Sequence, residues 1–403
     1  MDGLIQTSRP ETHKSLRVAI VTTAGVVEGF RQWPEAILGR ALIARGHEVA
    51  AFTIQEEGSE ITGRPREDVD GIDVTRVRVN KAWLAPALAP ALIASKPDII
   101  HLFHIRNALN WQAMLVARLL HVPVVFTVVG PYHDPDLVDN RERPYSGRVH
   151  PGRLIYTPRQ LARRLLQARF RKPLRLWQNL CMHAPLRGAD ALIALSRHEV
   201  EALTRMRLDP GKVVRIPLWI DIPFIEAVET GPSVAAGHPS PHVLFLGQLK
   251  ERKGYDTLAH AMPLVLERVP TATFLFAGQN PAGADKLRAI CRTNGSEAHM
   301  ALLGRVGEAE KVRLMRSSQC LVYPTRYESF GLPPLEAMAA GCPVIASDIP
   351  VVSEMIQNEQ NGLLTAPDDP RALAEGIIRV PAAPTLPAKP VAAARATLSR
   401  YAE

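Results

Sequence analysis

Two glutamates separated by seven residues bracket a loop that could bind an anion. An apolar run ends at Tyr323, a few residues before the loop Ser329–Leu332. Glu328 precedes this loop and Glu336 follows it. Two prolines come directly after the loop, and proline suits the first turn of a helix because its missing N–H costs nothing there. The loop should therefore present backbone N–H groups at a helix N-terminus, which favours an anion such as a diphosphate. The flanking carboxylates could accept hydrogen bonds from sugar hydroxyls, although an ordinary helix cap would show the same pattern.

A second loop with basic side chains occurs earlier in the chain. The apolar run Val243–Leu246 is followed by Gly247, Gln248 and a basic stretch that reaches Lys253 before Gly254. A lysine at this place could share one phosphate with a helix N-terminus, whereas a solvated loop lysine is the simpler alternative. Ligands of open α/β sheets bind at the carboxyl ends of the strands, so two such loops in one sheet predict a shared site.

The elements that would position these loops are short strands. Segments rich in β-branched residues alternate with helix-like stretches, and they are apolar on both faces, as in parallel strands covered by helices on each side. A break rich in Pro, Gly and Ser, 231–242, separates two groups of six. The predicted strands are Arg17–Val21, Val49–Ile54, Asp98–Leu102, Val122–Val128, Ala191–Ala194, Val213–Ile216, Val243–Leu246, Thr273–Ala277, Met300–Leu303, Cys320–Tyr323, Pro343–Ala346 and Gly362–Thr365.

This alternation predicts an α/β fold with two Rossmann-like, doubly wound domains that face each other across a cleft. The first domain is expected over 1–225 and a linker over 226–242. The second domain, which carries both loops described above, is expected over 243–380. A Pro-rich and helical tail is expected over 381–403.

Composition excludes several classes of protein. The chain has 403 residues, of which 46% are hydrophobic and 22% charged, which is typical of globular proteins and unlike disordered ones. No apolar run reaches the roughly 18 residues that a membrane-spanning helix needs. The four cysteines show neither a disulfide framework nor a zinc-type spacing, and the first sixteen residues lack the layout of a secretory signal. We therefore expect a cytoplasmic protein with reduced cysteines.

Seven segments, taken together, resemble one known family. The stretch Glu328–Glu336 resembles the E-x7-E motif of the retaining glycosyltransferases of family 4, which have the two-domain GT-B fold. The other segments resemble the family in the same order along the chain, and they are Ala44–Val49, Lys96–His101, Ala189–Ser196, Ile216–Asp221, Ala340–Asp348 and Glu354 with Asn361–Leu364. Their common order is far more specific than any one motif.

The resemblance implies that a sugar moves from a nucleotide-diphosphate sugar to a glycan, lipid-linked or small-molecule acceptor, with retention at the anomeric carbon. It places Glu328 near the reacting carbon and Glu336 at the ribose hydroxyls. The groups implied to hold the diphosphate are Lys253 and the backbone amides of Phe330, Gly331 and Leu332. No metal or other cofactor is expected. His101 and His104 have the spacing of a metal-binding pair, but no third ligand accompanies them.

The chain departs from the family pattern at three positions. Gln248 replaces an arginine that usually follows the glycine of the basic loop, and Val129 stands where the family usually has an active-site histidine. Phe30 replaces the second glycine of a pair that begins with Gly29. Gly29 and Gln248 are kept as candidate donor-binding residues. His133, in the loop after Val129, is a candidate for the missing imidazole, and a surface histidine is the alternative.

These departures keep a second class of function open. A degenerate relative could bind a nucleotide sugar or a partner without efficient turnover. Another enzyme with a GT-B fold, such as a nucleotide-sugar epimerase, fits the ordered segments poorly. The first strand is not followed by G-x-G-x-x-G, which argues against a nicotinamide enzyme.

One segment carries the basic excess of the chain. The formal net charge is +8, and residues 141–175 alone contain ten arginines and one lysine against a single glutamate. Leucines at helical spacing among the arginines suit contact with an anionic membrane, which would place the protein at the inner membrane face. A solvated helical insertion and a site for an anionic soluble acceptor are the alternatives. Nucleic acid is not an expected partner, because no recognisable binding module is present.

Overall fold

The computed structural model describes residues 14–23, 25–28, 33–55, 64–130, 157–167, 173–229 and 231–380, together with Val138 and Val149. Two sheets organise these residues, one on each side of the predicted linker. The predicted tail 381–403 and much of the predicted insertion 141–175 lie outside the described residues. The domain boundaries expected from the sequence remain a prediction.

The first sheet contains eight strands, which are β1 (Arg17–Val21), β2 (Glu48–Ile54), β3 (Arg66–Val69), β4 (Ile72–Val77), β5 (Ile99–Phe103), β6 (Val124–Thr127), β7 (Ala191–Ala194) and β8 (Val213–Arg215). Their spatial order is β3-β4-β2-β1-β5-β6-β7-β8. All neighbours are parallel except β3 and β4. The chain moves outward from β1 in one direction and from β5 in the other. The topological switch point therefore lies between β1 and β5.

The second sheet contains six parallel strands, which are β9 (His242–Leu246), β10 (Thr273–Ala277), β11 (Met300–Gly304), β12 (Cys320–Tyr323), β13 (Val344–Ser347) and β14 (Leu363–Thr365). Their spatial order is β11-β10-β9-β12-β13-β14, so the switch point lies between β9 and β12. The two loops predicted to bind a ligand follow these same two strands.

Helices connect and cover the strands. In the first unit they are α1 (Pro34–Ala44), α2 (Leu88–Ala94), α3 (Asn110–Leu120), α4 (Pro158–Gln167), α5 (Pro173–Gly188), α6 (Arg197–Arg205) and α7 (Ile222–Ala227). In the second they are α8 (Tyr255–Leu266), α9 (Pro281–Thr293), α10 (Glu308–Ser317), α11 (Leu332–Ala340), α12 (Pro350–Ser353) and α13 (Pro370–Arg379). The doubly wound α/β architecture predicted from the sequence is confirmed.

The second sheet is buried on both faces because its side chains alternate between two cores. Leu244 and Leu246 of β9 belong to the apolar cluster on one face, whereas Val243 and Phe245 belong to the cluster on the other. This is the period-2 pattern of a strand with helices on both sides. The first cluster also contains Leu195, which follows β7 of the first sheet. One apolar core therefore includes residues from both units and holds them together at the cleft.

Candidate active site

The helix start predicted to bind an anion is present. Strand β12 ends at Tyr323 and α11 begins at Leu332, with Gly331 as the residue before it. Gly331 has φ 100°, a left-handed conformation that favours glycine. No side chain caps this helix N-terminus. Pro333 and Pro334 have no N–H, so the N–H groups at the start of the helix come from Gly331 and Leu332.

Glu328 lies in a buried cluster of charges beneath this helix start. Its carboxylate is 7% exposed and accepts hydrogen bonds from Arg252 Nη1 at 3.0 Å and from Lys253 Nζ. Thr325 Oγ1 lies 3.3 Å from the same carboxylate oxygen. Burial lowers the pKa of the Lys253 ammonium, and the negative charge of Glu328 offsets only part of that effect. The structure therefore brings together two residues that the sequence analysis assigned to separate parts of a ligand.

The two loops contact each other through glycine. The basic loop forms a short 3-10 turn, Glu251–Lys253, which ends at Gly254 with φ 72°. A Cβ at Gly254 would collide with the carbonyl oxygen of Pro324 in the other loop. The backbone N–H of Arg326 also donates to the carbonyl of Arg252 at 2.8 Å. The absence of a side chain at position 254 thus allows Lys253 to reach Glu328.

A buried arginine, Arg326, fixes the loop that precedes Glu328. The guanidinium of Arg326 donates to both carboxylate oxygens of Asp256, at 2.9 and 3.1 Å, and to Asp368 at 2.5 Å. Arg326 is 6% exposed. The two-pronged geometry of guanidinium and carboxylate fixes the loop more firmly than a single hydrogen bond would.

A pocket of about 340 Å³ opens beside this cluster. Gln248, Leu332 and Glu336 line it, so the structure brings these three predicted residues together. Glu336 is 3% exposed and accepts a hydrogen bond from Lys311 Nζ at 2.7 Å. Lys311 also pairs with Glu308 at 2.7 Å. Burial lowers the pKa of Lys311, but the two carboxylates outweigh it and raise the pKa overall.

Several side chains that line this pocket were not predicted from the sequence. Arg305 follows β11, Glu308 and Lys311 lie on α10, and Trp33 precedes α1 in the first unit. Arg305 could have been found, because it follows the carboxyl end of a predicted parallel strand. No sequence pattern indicated Trp33, because it lies in the first unit and reaches this pocket only through the packing of the two units.

Of the remaining predicted site residues, some are described by the structure and others are not. Phe330 is buried in the core that both units share, and Gln248 is exposed at the pocket. Gly29, Phe30 and His133 lie outside the described residues, so their assigned roles remain predictions. Among the described residues, no three His, Cys, Asp or Glu side chains form a group that could hold a metal ion. His101 instead contacts Thr127 Oγ1 at 2.7 Å, and burial lowers its pKa to about 4.

The predicted membrane contact through 141–175 also remains a prediction. Its described part includes α4, where Arg163 is exposed and Leu166 is 70% exposed. Within the described ranges, every helix falls short of the length and apolar character that a membrane span requires.

Comparison with known proteins agrees with the architecture. Residues 232–397 match the family model described as glycosyl transferases group 1, and residues 37–219 match the one described as glycosyl transferase 4-like domain. A phosphatidyl-myo-inositol mannosyltransferase of Mycobacterium tuberculosis is 35% identical over 55% of this chain and 57% of its own length. The chain spans about half the length of the curated relatives it matches.

Solved structures share the fold over nearly the whole chain. Sucrose-phosphate synthase from Thermosynechococcus elongatus aligns with a TM-score of 0.68 at 21% identity, covering 96% of this chain and 94% of that one. The Anabaena protein HepE, solved in complex with UDP and glucose, aligns with a TM-score of 0.66 at 17% identity, covering 96% of both chains. The two family matches and this fold together show that the chain belongs to the group 1 glycosyl transferases with the GT-B fold.

Proposed function

We propose that this protein is a glycosyltransferase that moves a sugar from a nucleotide-diphosphate sugar to a hydroxyl acceptor, with retention at the anomeric carbon. The observation that carries the proposal is the cluster of Glu328, Arg252 and Lys253 beneath the start of α11. A carboxylate able to bind a sugar hydroxyl lies against two cations and a helix N-terminus able to bind a diphosphate. The Mycobacterium relative named as a mannosyltransferase and the Anabaena protein solved with UDP and glucose support this assignment.

The proposed reaction uses these groups where charge develops. A bond forms between the acceptor oxygen and the anomeric carbon while the bond from that carbon to the diphosphate oxygen breaks. The proton of the acceptor hydroxyl passes to the departing diphosphate. Negative charge grows on the departing diphosphate, and fixed cations and N–H donors stabilise it more in the transition state than in the ground state. Lys253, Arg252 and the N–H groups of Gly331 and Leu332 would supply this stabilisation.

The nucleoside would occupy the adjacent pocket. Glu336, oriented by Lys311, would accept hydrogen bonds from the ribose hydroxyls, and Gln248 would donate an amide hydrogen bond where relatives have a charged arginine. No cofactor is proposed. The alternative, a protein that binds a nucleotide sugar without efficient turnover, has no supporting observation beyond the replacements at 30, 129 and 248.

The test is calorimetric binding of UDP, GDP, ADP and dTDP to the wild-type protein and two lysine variants. Lys253→Ala should weaken binding of the preferred nucleotide about 10- to 150-fold, as expected for loss of a hydrogen bond to a charged group. Lys286→Ala is the matched control, because Lys286 pairs with Glu251 of the same turn but is half exposed on α9. It should bind like the wild type.

Turnover then separates the two functions. Consumption of the matching nucleotide sugar, by transfer or by slow hydrolysis, identifies the enzyme. Nucleotide binding without any consumption favours the binding protein. Equal affinity of the wild type and Lys253→Ala would show that the diphosphate is held elsewhere.

A further inference from the structure

A histidine and a glutamate form a pair at the switch point of the first sheet. Glu35 lies in the first turn of α1, which follows β1, and His104 directly follows β5. His104 Nε2 is 2.5 Å from Glu35 Oε1, and Thr22 Oγ1 donates to the same oxygen at 2.7 Å. The Glu35 side chain is 1% exposed, whereas the His104 side chain is 30% exposed. The imidazole is therefore anchored at a buried carboxylate and is itself partly exposed.

The backbone at His104 is strained, and buried neighbours hold it in place. His104 has φ 63°, a left-handed conformation that non-glycine residues adopt rarely and at a cost. Asn110, itself fully buried, donates from Nδ2 to the carbonyl oxygen of His104 at 2.9 Å. A side chain at Gly25 would collide with the Glu35 carboxylate, so that loop approaches the pair closely. Strained geometry held by several partners is characteristic of functional sites.

Residues that neighbour the pair connect it to the second unit. Val129 packs against both the core that contains Phe330 and the core that contains Phe103. The ring of Phe103 lies 6.3 Å from that of His104. On the other side, Trp33 lines the nucleotide pocket two residues before Glu35. Residues next to the pair therefore reach both the pocket and the apolar core of the second unit.

The contact with Glu35 uses only one of the two ring nitrogens of His104. Burial raises the pKa of Glu35, but the charge of His104 and the hydrogen bonds from His104 and Thr22 outweigh it and lower the pKa overall. An ionised Glu35 accepts a hydrogen bond from Nε2–H, which leaves Nδ1 pointing away from the carboxylate. Nδ1 is a hydrogen-bond acceptor in the neutral ring and a donor in the protonated one. Among the described residues, no hydrogen bond to Nδ1 is present.

We propose that His104 Nδ1 accepts the hydrogen bond of the hydroxyl that attacks the donor sugar, with Glu35 fixing the ring. This inference rests on the function proposed above and adds the acceptor side of the same site. The negative charge of Glu35 beside the ring disfavours an anionic group, so the inference concerns the hydroxyl of a neutral sugar or polyol. The hydroxyl would lie between His104 and the anomeric carbon held near Glu328.

Two substitutions at position 104 separate this role from a structural one. In H104Q the amide group lies near the place of Nε2, so it can still donate to Glu35 but offers nothing at the place of Nδ1. In H104N the amide oxygen lies near the place of Nδ1 but cannot reach Glu35 as Nε2 does. If the pair only stabilises the fold, H104Q should be the milder change. If Nδ1 binds the acceptor hydroxyl, H104N should be the milder change.

The experiment measures donor consumption with water and with glycerol as acceptors, using the nucleotide sugar identified by calorimetry. We expect H104Q to lower turnover at least tenfold while its affinity for the nucleoside diphosphate stays within twofold of the wild type. H104N should retain more turnover than H104Q. His121→Gln is the matched control, because His121 also has a left-handed backbone, with φ 55°, but lies exposed at the end of α3.

The outcomes distinguish this inference from the function on which it rests. Turnover by H104Q within twofold of the wild type, with either acceptor, overturns the role of His104 and leaves the proposed function standing. A smaller loss of turnover in H104Q than in H104N also overturns the role of His104. A wild-type protein that neither binds a nucleotide nor consumes a nucleotide sugar overturns the proposed function, and the assignment of His104 falls with it.

Discussion

At the residue scale, the contact between Lys253 and Glu328 joins the group proposed to bind the diphosphate to the group proposed to lie near the reacting carbon. Each neutralises the other in a buried place, and Arg252 adds a second cation at 3.0 Å from the same carboxylate. A diphosphate that arrives must compete with Glu328 for these cations. The same competition would release the carboxylate toward a sugar.

This balance predicts opposite effects on binding and turnover in Glu328→Gln. The neutral amide leaves Arg252 and Lys253 with an unbalanced positive charge, so the affinity for a nucleoside diphosphate should stay equal or rise. Turnover of the nucleotide sugar should fall at least tenfold, because one charged hydrogen bond is worth roughly 1.5–3 kcal/mol. Calorimetry and an initial-rate assay on the same preparation measure both quantities. A parallel loss of affinity and turnover would show that Glu328 acts through the fold of the loop.

The sequence predicts those residues of the proposed donor site that lie in continuous motifs and misses those that do not. Glu328, Lys253 and Glu336 belong to short patterns that follow single strands, so their types and spacing were enough to identify them. Lys311 reaches Glu336 from a different helix, and no local pattern records that approach. Contacts of this kind depend on which strands and helices become neighbours.

At the element scale, α6 begins where the loops of both units meet. Its first turn carries Glu199, which is fully buried and accepts hydrogen bonds from the backbone N–H of Leu195 at 2.8 Å and Gly130 at 3.2 Å. Ser196 caps the same helix by accepting from the N–H of Glu199 at 3.1 Å. The buried Ser329 side chain, next to Glu328, lies near the Glu199 carboxylate and lowers its pKa. The start of α6 thus joins the end of β6, the end of β7 and the loop beside Glu328.

The titration of Glu199 predicts how stability depends on pH. Burial raises its pKa from 4.5 to about 7, although the N–H donors of Leu195 and Gly130 counteract this. An acid that keeps its proton to a higher pH when folded loses stability as pH rises from its unfolded value to its folded one. The free energy of unfolding of the wild type should therefore fall relative to Glu199→Gln between about pH 4.5 and pH 7, by up to about 3 kcal/mol.

Urea unfolding of both proteins at pH 5 and pH 7 measures this difference. Glu201→Gln is the control, because Glu201 lies on the same helix but its side chain is 61% exposed and pairs with Arg205. The control should follow the wild type at both values. If the offset between wild type and Glu199→Gln is the same at pH 5 and pH 7, Glu199 does not titrate in this range.

The elements themselves were predictable to different degrees. Buried strands such as β9 and β10 were predicted because both faces are apolar after the first residue. The pair β3 and β4 was not predicted, since Arg66–Val69 carries three charged residues and lies at the sheet edge. Asp70 and Gly71, with φ of 55° and 84°, form the tight turn between them, and this Asp-Gly pair was the signal available.

At the scale of the whole molecule, the contacts between the two units in the described part of the chain include a shared apolar core and the carboxylate of Glu354. Glu354, which follows α12 in the second unit, accepts hydrogen bonds from the backbone N–H of Arg197 at 3.0 Å and His198 at 3.1 Å. Arg215 of the first unit lies 3.8 Å from the same carboxylate. The negative charge sits at the N-terminus of α6, where the helix dipole favours it. No local sequence pattern predicts this contact, because the partners are more than 150 residues apart.

Because Glu354 links the units across the cleft, removing it should shift the protein toward an open arrangement. In Glu354→Ala two charge-assisted hydrogen bonds are lost, each worth roughly 1.5–3 kcal/mol when buried and less here because the side chain is 19% exposed. The nucleotide pocket is lined mainly by the second unit, so nucleotide affinity should change little. Turnover needs both walls of the cleft, and it should fall about tenfold.

Small-angle X-ray scattering of Glu354→Ala should show a larger radius of gyration than that of Glu359→Ala. Glu359→Ala is the control, because it loses only an exposed pair with Arg379 inside the second unit. Superimposable scattering curves with unchanged turnover would mean that the shared apolar core alone closes the cleft.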